Sequence, residues 1–224
     1  MTESTFIKMQ LIKAILFDLD GTLIDSVTDL ANSVNYALAK LGLPGHTRNE
    51  IKSFVGDGVQ KLIKRSLGPT HMEKFADAFV IFMDYYGLHL IDNTALYPGV
   101  AEILPQLAEN YSLGLLTNKS QKFSVLILQT LGIASYFKEV IGGDSLPVKK
   151  PDPAGILFLA EKWGLDPGRE MLMVGDHASD IEVGQRAGCK TVFIEGGIGI
   201  KRRLEPDFII ESMFELPGLL ENLQ

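Results

Sequence analysis

The sequence offers almost no thiol chemistry, with a single cysteine among 224 residues. One thiol excludes an internal disulfide. Cys189, set in Ala-Gly-Cys-Lys between an expected helix and an expected strand, reads as a small buried packing residue. Positive charge is also scarce: 21 Lys and Arg against 28 Asp and Glu leave a formal net charge of −7. That balance argues against broad attraction to nucleic acid or to an anionic membrane. No run reaches the roughly 18 to 20 apolar residues that span a bilayer. The opening Met-Thr-Glu-Ser-Thr-Phe-Ile-Lys lacks the apolar core of a signal peptide. His46, His71 and His89 show no metal-ligand spacing. These absences point to a soluble cytoplasmic protein and leave monomer and homodimer both open.

What is present is a chain 46% apolar and 22% charged, enough to bury a core. Short runs rich in Ile, Leu, Val and Phe occur at residues 13–17, 113–116, 139–141, 171–174, 191–194 and 207–210. Apolar runs bounded by turn residues suit strands buried on both faces, the condition of a parallel sheet. Helical patterns lie between them, as at residues 121–131 and 154–163, closed by Gly132 and Gly164. Alternation of this kind predicts an α/β fold, a Rossmann-like parallel-sheet core with helices on both sides.

The alternation fails between residues 25 and 92, where only helical patterns appear. Ser26 with Asp29 predicts a capping box, followed by Val27, Leu30, Ala31, Val34, Leu38 and Leu41 at helical spacing. Gly42 and Pro44 stop that helix, Thr47 with Glu50 opens another, and Phe75, Phe79, Phe82, Met83 and Tyr86 line a third. The expected organisation is therefore core (1–24), inserted small α-helical domain (25–92), core (93–224). Pro105 should kink or shorten the helix expected from Val100 to Glu109, because it lacks a donor and crowds the preceding turn.

Polar residues gather at four strand ends. Phe17-Asp18-Leu19-Asp20-Gly21-Thr22 places two carboxylates where the first strand runs into a glycine turn. In open parallel sheets ligands bind beyond the carboxyl ends of strands, although Asp and Gly are also ordinary turn residues. Thr117-Asn118-Lys119 offers a hydroxyl and backbone amides to a phosphate oxygen, and Lys149-Lys150-Pro151 sets a lysine beside a proline. Gly175-Asp176-His177-Ala178-Ser179-Asp180 puts two carboxylates four apart at a helix start. Each cluster has a plain reading as a cap, a solvated pair or a dipole partner. Four in this order are hard to obtain by chance.

The combination resembles the haloacid dehalogenase superfamily, whose four motifs match in order and spacing over nearly the whole chain. The helical insertion falls where that family's first cap class falls. Carried over position by position, the resemblance implies that Asp18 is the nucleophile and Asp20 the general acid and base. Thr117, Asn118 and Lys150 would bind the phosphate. Asp18, Asp176 and the backbone carbonyl of Asp20 would hold Mg²⁺, with Asp180 behind them supporting a metal-bound water or Lys150. An acid at position 20 fits a phosphatase or mutase, since transport ATPases carry threonine there and phosphonatases a small residue.

Elementary chemistry agrees with that assignment. Phosphate monoester hydrolysis can demand accelerations of up to ~10²¹-fold, whereas general acid–base help supplies only ~10²–10⁴. A carboxylate nucleophile divides the step in two. It needs positive charge beside it to approach a phosphate dianion, which Lys150 and Mg²⁺ would supply. Within the insertion, Phe54-Val55-Gly56-Asp57-Gly58-Val59-Gln60-Lys61-Leu62 resembles a segment of the phosphoglycolate phosphatases, as do Tyr97-Pro98-Gly99-Val100 and Val140-Ile141-Gly142-Gly143-Asp144. Gly56 and Gly58 would let backbone amides approach an anionic substrate; a plain inter-helix turn is the other reading. The expected partner is a small phosphorylated metabolite, 2-phosphoglycolate first. Sugar phosphates, nucleotides, pyrophosphate and a β-phosphoglucomutase-like phosphomutase remain open.

Overall fold

The computed structural model describes residues 12–223, so the segment read for a signal peptide, residues 1–8, lies outside the described residues. In chain order the first elements are β1 (Ala14–Phe17), β2 (Ile24–Asp25), α1 (Val27–Lys40), α2 (Arg48–Phe54), α3 (Val59–Leu67), α4 (Phe75–Leu88) and β3 (Ala95–Leu96). There follow α5 (Val100–Asn110), β4 (Ser112–Leu116), α6 (Gln121–Thr130), β5 (Phe137–Ile141), α7 (Ala154–Trp163) and α8 (Pro167–Glu170). The chain continues through β6 (Met171–Gly175), α9 (Ala178–Ala187), β7 (Lys190–Ile194), β8 (Phe208–Ile210) and α10 (Leu216–Glu221).

All six expected strands form one sheet in the order β5-β4-β1-β6-β7-β8, and every neighbouring pair is parallel. Side chains of the inner strands alternate between two buried faces, while the edge strands β5 and β8 each expose a residue. Ile15 and Phe17 of β1 join the larger core, while Ala14 and Leu16 join a second core against α7 and α9. Strand β1 stands between β4 and β6, the point where the connections change direction, and a crevice opens there beyond the strand ends. Asp18 extends the ladder by one bond, donating its amide to Val174 O at 3.0 Å, before the chain turns.

Between β2 and β3, which pair antiparallel, lie four α-helices and a short 3-10 segment but no strand. The larger core runs on into this layer through Leu30, Val34, Phe82 and Tyr86. Thr47 and Glu50 form the expected capping box of α2. The one expected at Ser26 and Asp29 does not form. Ser26 begins α1 without a side-chain cap, and its hydroxyl donates instead to Asp20 Oδ1. Asp29, 1% exposed, accepts from both nitrogens of Asn93 and from the amide and hydroxyl of Thr94. Burial pushes its carboxyl up, but these donors more than offset that and hold it below its ordinary value. Several donors to one buried carboxylate outcompete a single helix amide.

Pro105 gives a second correction. Helix α5 continues through it from Val100 to Asn110, so the expected shortening does not occur. The donor that proline lacks would have served the carbonyl of Ala101, which is exposed, so water can take its place. Among the described residues no helix is long and apolar enough to cross a membrane. Cys189 is buried as expected, which pushes its thiol up to about 12.

Candidate active site

The ends of β1, β4 and β6 and the loop before α7 bring Asp18, Thr117, Lys150 and Asp176 into one crevice. Lys150, its side chain 1% exposed, reaches Asp18 Oδ1 at 2.8 Å and Asp180 Oδ1 at 2.6 Å. The Lys150–Pro151 peptide is cis. Burial works against the Lys150 ammonium, yet the charges of Asp18 and Asp180 raise its pKa above the ordinary value. Asp180 spends its other oxygen on the His177 amide at 2.9 Å and so caps α9. Both its oxygens are engaged, one by the lysine and one by the helix.

Asp18, Asp176 and Asp180 each offer an oxygen within 4.8 Å of the other two, and all three are buried. Burial raises Asp18 to about 6 against the pull of Lys150. Asp176 rises to about 8, first through burial and then through the charges of Asp18 and Asp180. The contact that Oδ1 of Asp18 makes is with the Lys150 ammonium. Three crowded, buried carboxylates suit a divalent cation that prefers oxygen.

Asp176 is held in place by groups that sequence reasoning passed over. Its Oδ1 accepts from Thr22 Oγ1 at 3.1 Å, and its Oδ2 accepts from the amides of Ile198 and Gly199 at 2.8 and 2.7 Å. The signal for the last two was the Gly196-Gly197-Ile198-Gly199 stretch just past a strand end. Gly21 explains the glycine of the first motif. Its φ is +92°, and a Cβ there would stand 2.0 Å from Asp176 Oδ2.

Asp20 does not face this acidic group through its side chain. Its carboxylate takes Lys119 Nζ at 2.9 and 3.1 Å and the Ser26 hydroxyl. The Lys119 ammonium also lies over the Tyr86 ring, 4.9 Å from the centroid. Burial opposes the charge on Lys119, but Asp20 and Tyr86 prevail and its pKa rises.

Thr117 is buried, with its hydroxyl accepting from the Lys119 amide at 3.3 Å. Asn118 does not turn its amide nitrogen to the crevice; it donates to Gly56 O at 3.0 Å and to Lys150 O at 3.2 Å, tying the helical layer to the sheet. Lys149 adds a bond to Asp57 O at 2.9 Å, and Lys52 one to Gly197 O at 3.3 Å. Gly56 lies against the His177 ring, where a Cβ would come within 2.7 Å of it, and its φ of +111° excludes most other residues. A Cβ on Gly58 would stand 2.6 Å from Lys149 Nζ and 3.0 Å from Asn118 O. Lys61 and Arg65 pair with Asp57, and Lys64 stands over the Phe75 ring, so none of the three lines the cleft. The cleft is walled by Asp18, Asp20, Thr117 and Lys119 on the sheet side and by Gly56, Leu62, Phe82 and Tyr86 on the helical side.

Residues 15–194 match the family described as haloacid dehalogenase-like hydrolase. A phosphoglycolate phosphatase of Chromobacterium violaceum is 38% identical over 94% of this chain and 97% of its own length. One of Vibrio vulnificus is 41% identical over 92% and 95%. Among solved structures, that of a predicted phosphoglycolate phosphatase from Haemophilus somnus superposes with a TM-score of 0.86 at 35% identity, covering 93% of this chain and 97% of that one. A family match across most of the chain, joined to relatives alike from end to end, has one reading: the chain belongs to the haloacid dehalogenase-like hydrolases.

Proposed function

We propose that this hydrolase is a phosphoric monoester hydrolase that cleaves small esters through an aspartyl phosphate on Asp18, with 2-phosphoglycolate as its substrate. The observation that carries the reading is the pairing of the buried Asp18 carboxylate with the buried Lys150 ammonium at 2.8 Å. Full-length likeness to proteins named phosphoglycolate phosphatase supports the choice of ester.

Lys150 lowers the repulsion between the Asp18 carboxylate and an approaching phosphoryl group, and Asp180 fixes where its ammonium points. The Thr117 hydroxyl donates to a phosphoryl oxygen. Asp20 gives a proton to the leaving alkoxide and then takes one from the attacking water. A magnesium ion held by Asp18, Asp176 and the Asp20 carbonyl supplies further positive charge against the phosphoryl oxygens when bound. Residues 25–92 act as a cap whose Gly56 to Gly58 turn closes over the crevice, excludes water and lifts for release.

Phosphate release from a panel of small esters, with and without Mg²⁺, tests the reading. Release should require the metal and should be fastest with 2-phosphoglycolate. Isomerised sugar phosphate without free phosphate would overturn it in favour of a mutase.

The metal should also appear in the stability of the fold. Asp18 and Asp176 hold their protons more tightly folded than unfolded. The folded chain therefore binds more protons between about pH 4 and 8, and its stability falls as pH rises through that window. In EDTA the melting temperature should be lower at pH 8.5 than at pH 5.5. At pH 8.5, Mg²⁺ at about 100 times its dissociation constant should return about 2.7 kcal/mol, and the same concentration should return less at pH 5.5, where protons compete for the carboxylates. An EDTA melting temperature that climbs between those two pH values would sink the argument.

A further inference from the structure

Lys119 is unused by the chemistry above, yet it is the one cationic side chain among the residues lining the cleft. Its side chain is 7% exposed, and its ammonium is bound by both oxygens of Asp20 at 2.9 and 3.1 Å. Ser26 holds the same carboxylate from another side. In that position both oxygens of Asp20 are turned to Lys119, and one of them also to Ser26. A second group in the cleft is also unassigned: the Tyr86 hydroxyl is buried beside the Lys119 ammonium, and its proton has no acceptor. An ammonium whose counter-ion is needed elsewhere and a hydroxyl donor with nothing to bond stand side by side in one cleft.

We infer that Lys119 and Tyr86 form the receptor for the substrate's second anion, a carboxylate on the carbon next to the phosphate ester. When that carboxylate arrives it replaces Asp20 on the Lys119 ammonium and accepts from the Tyr86 hydroxyl. Asp20 is thereby released to turn toward the leaving oxygen. One contact then does two things: it selects esters with an anionic tail, and it frees the acid only when such an ester is bound. The exchange substitutes one carboxylate for another at a buried ammonium, so Lys119 is never left without a counter-ion. This rests on the reading that Asp20 is the acid and that the substrate is a phosphorylated hydroxy acid.

The test compares two esters of matching size, 2-phosphoglycolate and 2-hydroxyethyl phosphate, which carries a hydroxymethyl group in place of the carboxylate. The quantity read is the ratio of their kcat/KM values. In Lys119→Met this ratio should fall about 100-fold, and in Tyr86→Phe about 10-fold, through the loss of an ion pair and of a hydrogen bond to a charged group respectively. Lys119→Met leaves Asp20 unpaired and could melt early. Tyr86→Phe removes a hydroxyl that donates to nothing in the resting fold and leaves Lys119 paired with Asp20, so its melting temperature should drop little. A preference for the carboxylate ester that survives in both variants overturns this inference alone. A wild-type enzyme with no preference between the two esters overturns both it and the proposed substrate.

Discussion

Replacing Asp18 by asparagine should lower kcat by about 10⁴-fold or more, as loss of a nucleophile does when no neighbour can replace it. The fold should survive. Asparagine has the same shape as aspartate, and Lys150 keeps Asp180 as its partner at 2.6 Å. Burial already disfavours the Asp18 carboxylate and raises it to about 6, so removing its charge takes away a strain on the folded state. In EDTA at pH 8 the variant should therefore melt no lower than the wild type. Substrate should still bind, since the phosphate no longer meets an anion at its point of attack. Single-turnover phosphate release together with a thermal melt checks both halves. A variant that kept a tenth of the activity would remove Asp18 from the nucleophile's role.

The sheet and much of the crevice were legible in the sequence for one physical reason. Strands buried on both faces must be apolar at every position, so β1, β4 and β6 stand out as short runs, and the polar residues that end them mark the open edge of the sheet. The motif at Asp18-Leu19-Asp20-Gly21 could be placed because Gly21 answers a steric demand from Asp176, a demand only glycine meets. What escaped were choices between partners. Ser26 and Asp29 have the spacing of a capping box, but spacing cannot reveal that Asp20 and the Asn93-Thr94 linker compete for them and win. Lys119 stood in the sequence only as the residue after Thr117-Asn118, with no role of its own. Its burial follows from the meeting of Asp20 with Tyr86, residues 66 positions apart in the chain. Pro105 escaped because its effect depends on whether the carbonyl it leaves unpaired faces water.

The largest effect on stability should come from Lys150→Met. The lysine is the cation bonded to Asp18 and Asp180, and Asp176 lies within the same group of acids. Methionine fills the space but leaves buried carboxylates facing one another. Removing one partner of a buried ion pair costs about 3–5 kcal/mol, and a chain of this length should then melt about 10 °C lower. The deficit should be worse at pH 8.5 than at pH 5.5, because at the lower pH Asp18 and Asp176 can shed their charge by taking up protons. Mg²⁺ should restore part of the loss. Activity should not return with the fold, since no group in the variant stands where the ammonium neutralised the attacking carboxylate; kcat/KM should stay down by at least about 10²–10³-fold. The double variant Lys150→Met, Asp180→Asn separates the two effects. With Asp180 neutral, one source of repulsion is gone, so the pair should melt above Lys150→Met alone while remaining as inactive. A single variant as stable as the wild type at pH 8.5 would mean that the acids do not depend on Lys150 for their charge balance, and the electrostatic account of this crevice would fail.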